Sequence, residues 1–230
     1  SISCYFFIFG NMNIPKKIIF SYGKQHFPIV GIGNNGELSP IAAFIENIPK
    51  NSGMAFIVFD SEGAKNSESL QHIAGQTGLD VMHLGTGSLL EPDTIYIMPE
   101  NHRLLSDDDD LYLDFISGQE IDFSLDDFFS SLSASCREYA QGVLFSPNKQ
   151  PDGHIGLKHI KEKGGMTFFY SNKLGNHLID SENSINPAEI PVQLVHLNTF
   201  LKPNTPDSHT AHTEAEIYKT IIDLLLYKTG

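Results

Sequence analysis

Apolar runs of strand length alternate with stretches of helical spacing along most of the chain. The strand candidates are residues 27–32, 54–59, 94–98, 142–145 and 166–170, and the helix candidates are residues 41–48, 67–75, 125–132 and 155–163. Strands that alternate with helices pair in parallel, so the pattern predicts an α/β fold with a three-layer, doubly wound, mainly parallel sheet. Sites on such sheets lie beyond the carboxyl ends of the strands. The residues that follow each strand are therefore the candidates for function.

Two local signals refine this pattern. Ser39 and Pro40 supply an N-cap and a first-turn proline for the helix over residues 41–48. The run Asp107–Asp110 separates two apolar runs, residues 102–105 and 111–115. Four neighbouring carboxylates repel each other and favour a turn, which predicts a surface hairpin. A metal-binding acidic cluster is the alternative interpretation of this run.

Charge and cysteine content exclude several classes of protein. The chain has 15 basic and 28 acidic residues among 230, a formal net charge of −13. This balance disfavours nucleic acid and anionic membranes as partners, since both attract basic surfaces. Two cysteines, Cys4 and Cys136, are too few for a disulfide framework or a thiolate zinc cluster, and as free thiols they predict a cytoplasmic protein. The apolar residues 2–9 are too short for a membrane span, and we interpret them as a packed strand or an expression remnant.

Composition shifts divide the chain into four parts. Residues 1–26 form an apolar extension, residues 27–201 the α/β domain, and residues 202–213 a polar linker that contains proline. Residues 214–230 begin with an amphipathic helix. We expect this helix to start a new element after the linker.

A glycine motif follows the first strand. Gly31, Gly33 and Gly36 match G-x-G-x-x-G, and Asp60 lies 24 residues after Gly36. This arrangement is typical of dinucleotide binding, where helix amides meet the pyrophosphate. Pro40 argues against that interpretation, because proline is tolerated only in a first helical turn and the helix then starts after the glycines. Dinucleotide binding stays as one hypothesis.

Five ordered segments resemble a known family. They are FPIVGIG, GMAFIVF, LEPDTIYIMPENHRLLS, SLDDFFSSLS, and GVLFS with DGHIGLKHIKEKGG. In this order, over residues 27–197, they resemble the CheB-type protein-glutamate methylesterase domain. The final AEIYKTIIDLLLYKTG resembles the first helix of the CheR-type methyltransferase domain, which follows in CheB–CheR chemotaxis fusion proteins.

The resemblance implies a Ser-His-Asp triad that hydrolyses glutamyl methyl esters, or deamidates glutamine, on chemoreceptors. The family serine falls on Asn35, with Asn34 as the alternative register, and the family histidine falls on Ser61. The family aspartate is retained as Asp152, which we also interpret as a cap for the helix that follows it. An amide is no nucleophile and a serine hydroxyl is no general base. Two of the three triad positions are therefore substituted.

These residues leave three hypotheses for function. The first is a degenerate, non-catalytic methylesterase domain that binds methylated chemoreceptor-like helices or another signalling protein. The second is an active methylesterase or deamidase with a rebuilt site, using Ser61 or Ser146 with His154, His72 or His83. The third is the dinucleotide-binding module. For the first hypothesis we expect no cofactor, no metal and no membrane span.

Overall fold

The computed structural model describes residues 17–61, 64–85, 89–116, 124–146, 152–170 and 214–227. In chain order the elements are β1 (Lys17–Ser21), β2 (Ile29–Asn34), α1 (Leu38–Glu46), β3 (Ala55–Asp60), α2 (Ala64–Thr77), β4 (Asp80–His83), β5 (Thr94–Ile97), β6 (His102–Asp107), β7 (Asp110–Phe115), α3 (Leu125–Cys136), a 3₁₀ turn (Arg137–Tyr139), β8 (Ala140–Phe145), α4 (His154–Glu162), β9 (Thr167–Tyr170) and α5 (Glu214–Tyr227).

A six-stranded parallel sheet forms the centre of the molecule. Its strand order is β4-β5-β3-β2-β8-β9, and every neighbouring pair in it runs parallel. After β2 the chain winds towards β3 and β5, and after β8 it winds the other way to β9. The carboxyl ends of β2 and β8 therefore flank a switch point, where α/β sheets bind ligands. The predicted doubly wound α/β fold is confirmed.

Both faces of this sheet are buried. On one face, β-strand residues such as Ile32 and Phe145 pack with α1, α2 and α5. On the other face, residues such as Ile57 and Leu144 pack with α3, α4 and a small antiparallel sheet of order β1-β7-β6. Burial on both faces explains why the central strands appear in the sequence as continuous apolar runs rather than as alternating ones.

The antiparallel hairpin is confirmed where the acidic run predicted it. Strands β6 and β7 pair up to Asp107 and Asp110, and Asp108 takes a left-handed backbone with φ of 50° in the turn. Asp109 forms a salt bridge with Arg137. No group of three or more potential metal ligands occurs in the described ranges.

Two strands and one cap differ from the sequence predictions. Strand β1 lies within the predicted N-terminal extension and pairs with β7, and strand β4 forms one edge of the large sheet. Ser39 is not the N-cap of α1. The N-cap is Glu37, two residues earlier, and Pro40 still lies in the first turn, where its missing N–H is tolerated. Residues 2–9 lie outside the described ranges.

Helix α5 packs on the same core as α1. Its buried side chains Tyr218, Ile221, Ile222 and Leu225 belong to the core cluster on that face of the sheet. The resemblance of this segment to a methyltransferase helix stays a prediction. None of the helices in the described part of the chain is long and apolar enough to cross a membrane.

Candidate functional site

Asn35 and Ser61 meet at the carboxyl edge of the sheet. Strands β2 and β3 end in register at Asn34 and Asp60, so the next residue of each lies just past the edge. The Ser61 N–H donates to the Asn34 carbonyl at 2.9 Å, and the Ser61 hydroxyl donates to the Asn35 amide oxygen at 3.3 Å. Asn35 is half-buried and Ser61 is exposed, so solvent reaches this pair.

The chemistry of this pair is that of hydrogen bonding. An amide oxygen is too weak a base to take the proton of the Ser61 hydroxyl, so the contact does not activate a nucleophile. The Asn35 N–H donates to the Phe145 carbonyl at 2.9 Å and thereby extends the ladder between β2 and β8. The backbone N–H groups of Asn35 and Ser61 thus both donate to carbonyls of the sheet. They do not point towards a site where an oxyanion could bind.

Asn34 adds a buried amide behind this pair. Its side chain is 1% exposed, and its nitrogen lies 3.4 Å from an Asp60 carboxylate oxygen and 3.4 Å from the Gly36 carbonyl. Its amide oxygen is buried and has no hydrogen-bond partner among the described residues. Sequence reasoning considered Asn34 only as an alternative register. Its burial follows from the pairing of β2 with strands on both sides.

Asp152 caps helix α3. Its carboxylate accepts hydrogen bonds from the Ser124 hydroxyl at 2.9 Å, the Leu125 N–H at 2.6 Å and the Asp126 N–H at 3.0 Å. These amides belong to the first turn of the helix, where backbone donors have no partner within the helix. The prediction that Asp152 caps the helix after it is wrong, because the capped helix is α3, which precedes it in the chain.

Asp126 caps helix α4 in the same way that Asp152 caps α3. Its Oδ1 atom accepts from the Ile155 N–H at 2.8 Å and the Gly156 N–H at 2.9 Å. The two helices approach closely, since a Cβ on Gly156 would lie 2.6 Å from the Asp126 carbonyl oxygen. Asp152 and Asp126 thus lock α3 and α4 together by exchanging caps. The pattern Ser-Leu-Asp-Asp before two phenylalanines indicates where α3 begins. It does not indicate that Asp152 accepts the hydrogen bonds of the first turn.

The contacts of Leu125 locate Asp152 beside the end of β2. A Cβ on Gly33 would lie 2.8 Å from the Leu125 Cδ2 atom, and one on Gly153 would lie 3.0 Å from its Cβ atom. Leu125 therefore packs between strand β2 and the turn that carries Asp152. Asn35 and Ser61 contact each other, whereas the carboxylate of Asp152 is turned to α3.

The residues of the rebuilt-site hypothesis lie on several elements. Ser146 directly follows β8, is 5% exposed and donates its N–H to the Tyr170 carbonyl at 3.0 Å. His83 ends β4, which is separated from β3 by β5. His72 lies on α2 with its Nε2 atom 3.3 Å from the Gln76 side chain, and His154 is the first residue of α4.

The glycine motif is explained by helix packing. Gly31 and Gly33 lie inside β2 and not in the turn after it. A Cβ on Gly31 would lie 2.5 Å from a Leu132 methyl carbon of α3, and one on Gly33 would meet Leu125 and Phe129 within 3.0 Å. The two glycines let α3 approach the sheet, so their spacing does not require a bound pyrophosphate.

We expect Gly33→Ala to destabilise the domain by about 1–3 kcal/mol, because the added methyl overpacks the contact between β2 and α3. Gly75→Ala is the matched control. Gly75 lies inside α2, and apart from its chain neighbours and the backbone of its own helix no atom lies within 4 Å of its Cβ position, so alanine there stabilises the helix by about 0.5–1 kcal/mol. Urea unfolding of both variants measures these opposite signs, and two changes of the same sign would contradict the packing explanation.

A small cavity opens on the α3 side of the same sheet edge. It has a volume of about 60 Å³ and lies among Phe59, Phe128 and Met98, with Arg103 and Asp127 among its polar lining residues. Phe59 is the second residue before Ser61 in β3, and its ring stacks on that of Phe128 at 5.3 Å between centroids. Apolar and charged residues thus share the wall of this cavity, which includes Phe59, two residues before Ser61 in the chain.

Comparison with known proteins identifies the family and the fold of this chain. The sequence profile of the CheB methylesterase family matches residues 30–174. The CheB methylesterase catalytic domain of Thermotoga maritima is similar in structure, with a TM-score of 0.50 and 19% identity over 62% of this chain and 79% of that chain. A search of curated proteins gave no match. With the profile covering more than half of its length, this chain belongs to the CheB methylesterase family.

Proposed function

We propose that this domain is a degenerate CheB-type methylesterase that binds its partner without hydrolysing it. The observation that carries the proposal is the hydrogen bond of 3.3 Å between Ser61 and Asn35, at the two positions where the resemblance puts the family histidine and serine. The parallel sheet supports this proposal, and of the described side chains at its carboxyl edge Asn35 and Ser61 pair by a hydrogen bond that activates no nucleophile.

The partner we propose is a chemoreceptor-like helix that carries neutral glutamyl methyl ester or glutamine side chains, in a cytoplasmic, chemotaxis-type signalling protein. Asp60, Asp126, Asp127 and Asp152 lie around this edge of the sheet, and the whole chain carries a net charge of −13. A free glutamate would be repelled by these carboxylates, whereas an ester or amide is not. The amide of Asn35 and the hydroxyl of Ser61 both donate and accept hydrogen bonds, as such neutral groups require.

Titration calorimetry tests the proposal with receptor-type helical peptides that carry glutamate, glutamine or glutamyl methyl ester at one position. We expect the two neutral peptides to bind more tightly than the glutamate peptide. Asn35→Asp adds a negative charge at the site and should weaken binding of all three. The matched control is Asn51→Asp, an exposed turn residue shortly before β3, at the opposite edge of the sheet.

The control separates a local effect from a change in total charge. If Asn35→Asp and Asn51→Asp weaken binding equally, the peptide does not bind at the carboxyl edge. If the glutamate peptide binds as tightly as the methyl ester, selection of neutral side chains is wrong.

A further inference from the structure

Tyr218 of helix α5 is buried between α1 and β8, the two elements that flank the loop carrying Asn35. Its side chain is fully buried, and its ring lies 6.1 Å from that of Phe145 and 6.3 Å from that of Phe44, measured between centroids. It also contacts Tyr170, the last residue of β9, at 5.3 Å. These edge-on and tilted contacts lie in the range in which aromatic rings attract each other.

Phe145 and Phe44, whose rings lie beside Tyr218, belong to the elements that support the two ends of the loop over residues 35–37. At one end, the Asn35 N–H donates to the Phe145 carbonyl at 2.9 Å. At the other end, the loop enters α1 at Leu38, and α1 is fixed to the sheet through Phe44, whose ring lies 5.5 Å from that of Phe145. The loop that carries Asn35 is therefore attached at one end to β8 and at the other end to α1, and Tyr218 packs against both of these elements.

We propose that Tyr218 is a positioning residue, which fixes the loop carrying Asn35 by packing α5 against Phe145 and Phe44. The family profile ends at residue 174, so α5 supplies this support from outside the part of the chain that the profile matches. The inference deepens the proposed function, on which it rests for the importance of Asn35. Its test measures the loop in the absence of any peptide, so that the two can fail separately.

The packing of α5 depends on its own apolar face. Residues 171–213 lie between β9 and α5, so β9 does not hold the helix in place through a short connection. Ile221, Ile222 and Leu225 are each at most 3% exposed and anchor the helix together with Tyr218. Tyr227, at the last position of the same helix, is 87% exposed and supplies a matched control.

Amide hydrogen exchange of the full chain tests the proposal, with the Asn35 N–H compared with that of Val143 in the middle of β8. In Tyr218→Ala we expect exchange at Asn35 to accelerate by at least about tenfold more than at Val143, because a local opening exposes the loop before the core. Tyr218→Phe keeps the ring and should restore slow exchange. Tyr227→Ala should leave both amides unchanged.

A second pair of variants distinguishes a local effect at the loop from destabilisation of the whole domain. Tyr218→Leu keeps an apolar side chain but removes the ring contacts, and it should also accelerate Asn35 selectively. Leu157→Ala removes a buried side chain on the opposite face of the sheet, and it should accelerate Asn35 and Val143 alike. Equal acceleration of the two amides in Tyr218→Leu, or no change at Asn35, would overturn the positioning role.

Discussion

The protein is expected to release no methanol from methylated receptor helices. In triad hydrolases, loss of the nucleophile or the base alone lowers turnover by about 10⁶-fold, and the resemblance puts Asn35 and Ser61 at these two positions. Stripped triads keep a rate about 10³–10⁴-fold over water, largely through an oxyanion hole and substrate binding. Even that remainder receives no help from the amides of Asn35 and Ser61, which donate to carbonyls of the sheet. Gas chromatography of methanol from a methylated receptor fragment provides the measurement.

The double variant Asn35→Ser with Ser61→His is the companion to this assay. We expect it to stay inactive, because the Asp152 carboxylate that would orient the new imidazole is held by the amides of α3. Turnover by the unmodified chain in the usual enzyme range of about 1–10³ s⁻¹ would contradict the non-catalytic proposal. Loss of such turnover in Ser61→Ala or Ser146→Ala would then identify a rebuilt nucleophile.

The sequence predicts which residues of the site follow the ends of strands. The strands before Asn35 and Ser61 are apolar apart from their last residues, Asn34 and Asp60, and parallel strands in register bring the residues after them together. Strand β4 was missed because its four residues, Asp80–His83, include two polar side chains and none is fully buried. Strand β1 was missed because its pairing partner lies far along the chain, with Lys17 opposite Leu113.

Long-range contacts also decide the roles of Asp152 and α5. Local rules assign an aspartate to the helix that follows it, but Asp152 caps amides 26 and 27 residues earlier in the chain. The period of α5 predicts a helix with one apolar face and gives no information on what that face covers. In both cases the sequence contains the donor, the acceptor or the apolar stripe, and only the fold determines its partner.

Asp152→Ala is expected to destabilise the domain by about 2–3 kcal/mol, the size of losing charge-assisted hydrogen bonds at a helix cap. The substitution leaves the Leu125 N–H without its acceptor, whereas the Asp126 N–H retains the Ser124 hydroxyl at 3.1 Å. Asp152→Asn keeps one acceptor oxygen and should cost less than alanine. Urea unfolding followed by circular dichroism gives the free energies of unfolding.

The control for this series is Asp223→Ala, an exposed acidic residue of α5, for which we expect a change within about 0.5 kcal/mol. A similarly small change in Asp152→Ala, accompanied by weaker peptide binding, would show that Asp152 serves the site and not the fold. The hydrogen bonds of Asp152 indicate that its role is to stabilise the fold. Asp152 joins α3 to the turn before α4 through three contacts, while Asn35 and Ser61 share one side-chain contact at 3.3 Å. On the non-catalytic proposal, Asp152 serves folding, because its carboxylate holds α3 to the turn before α4.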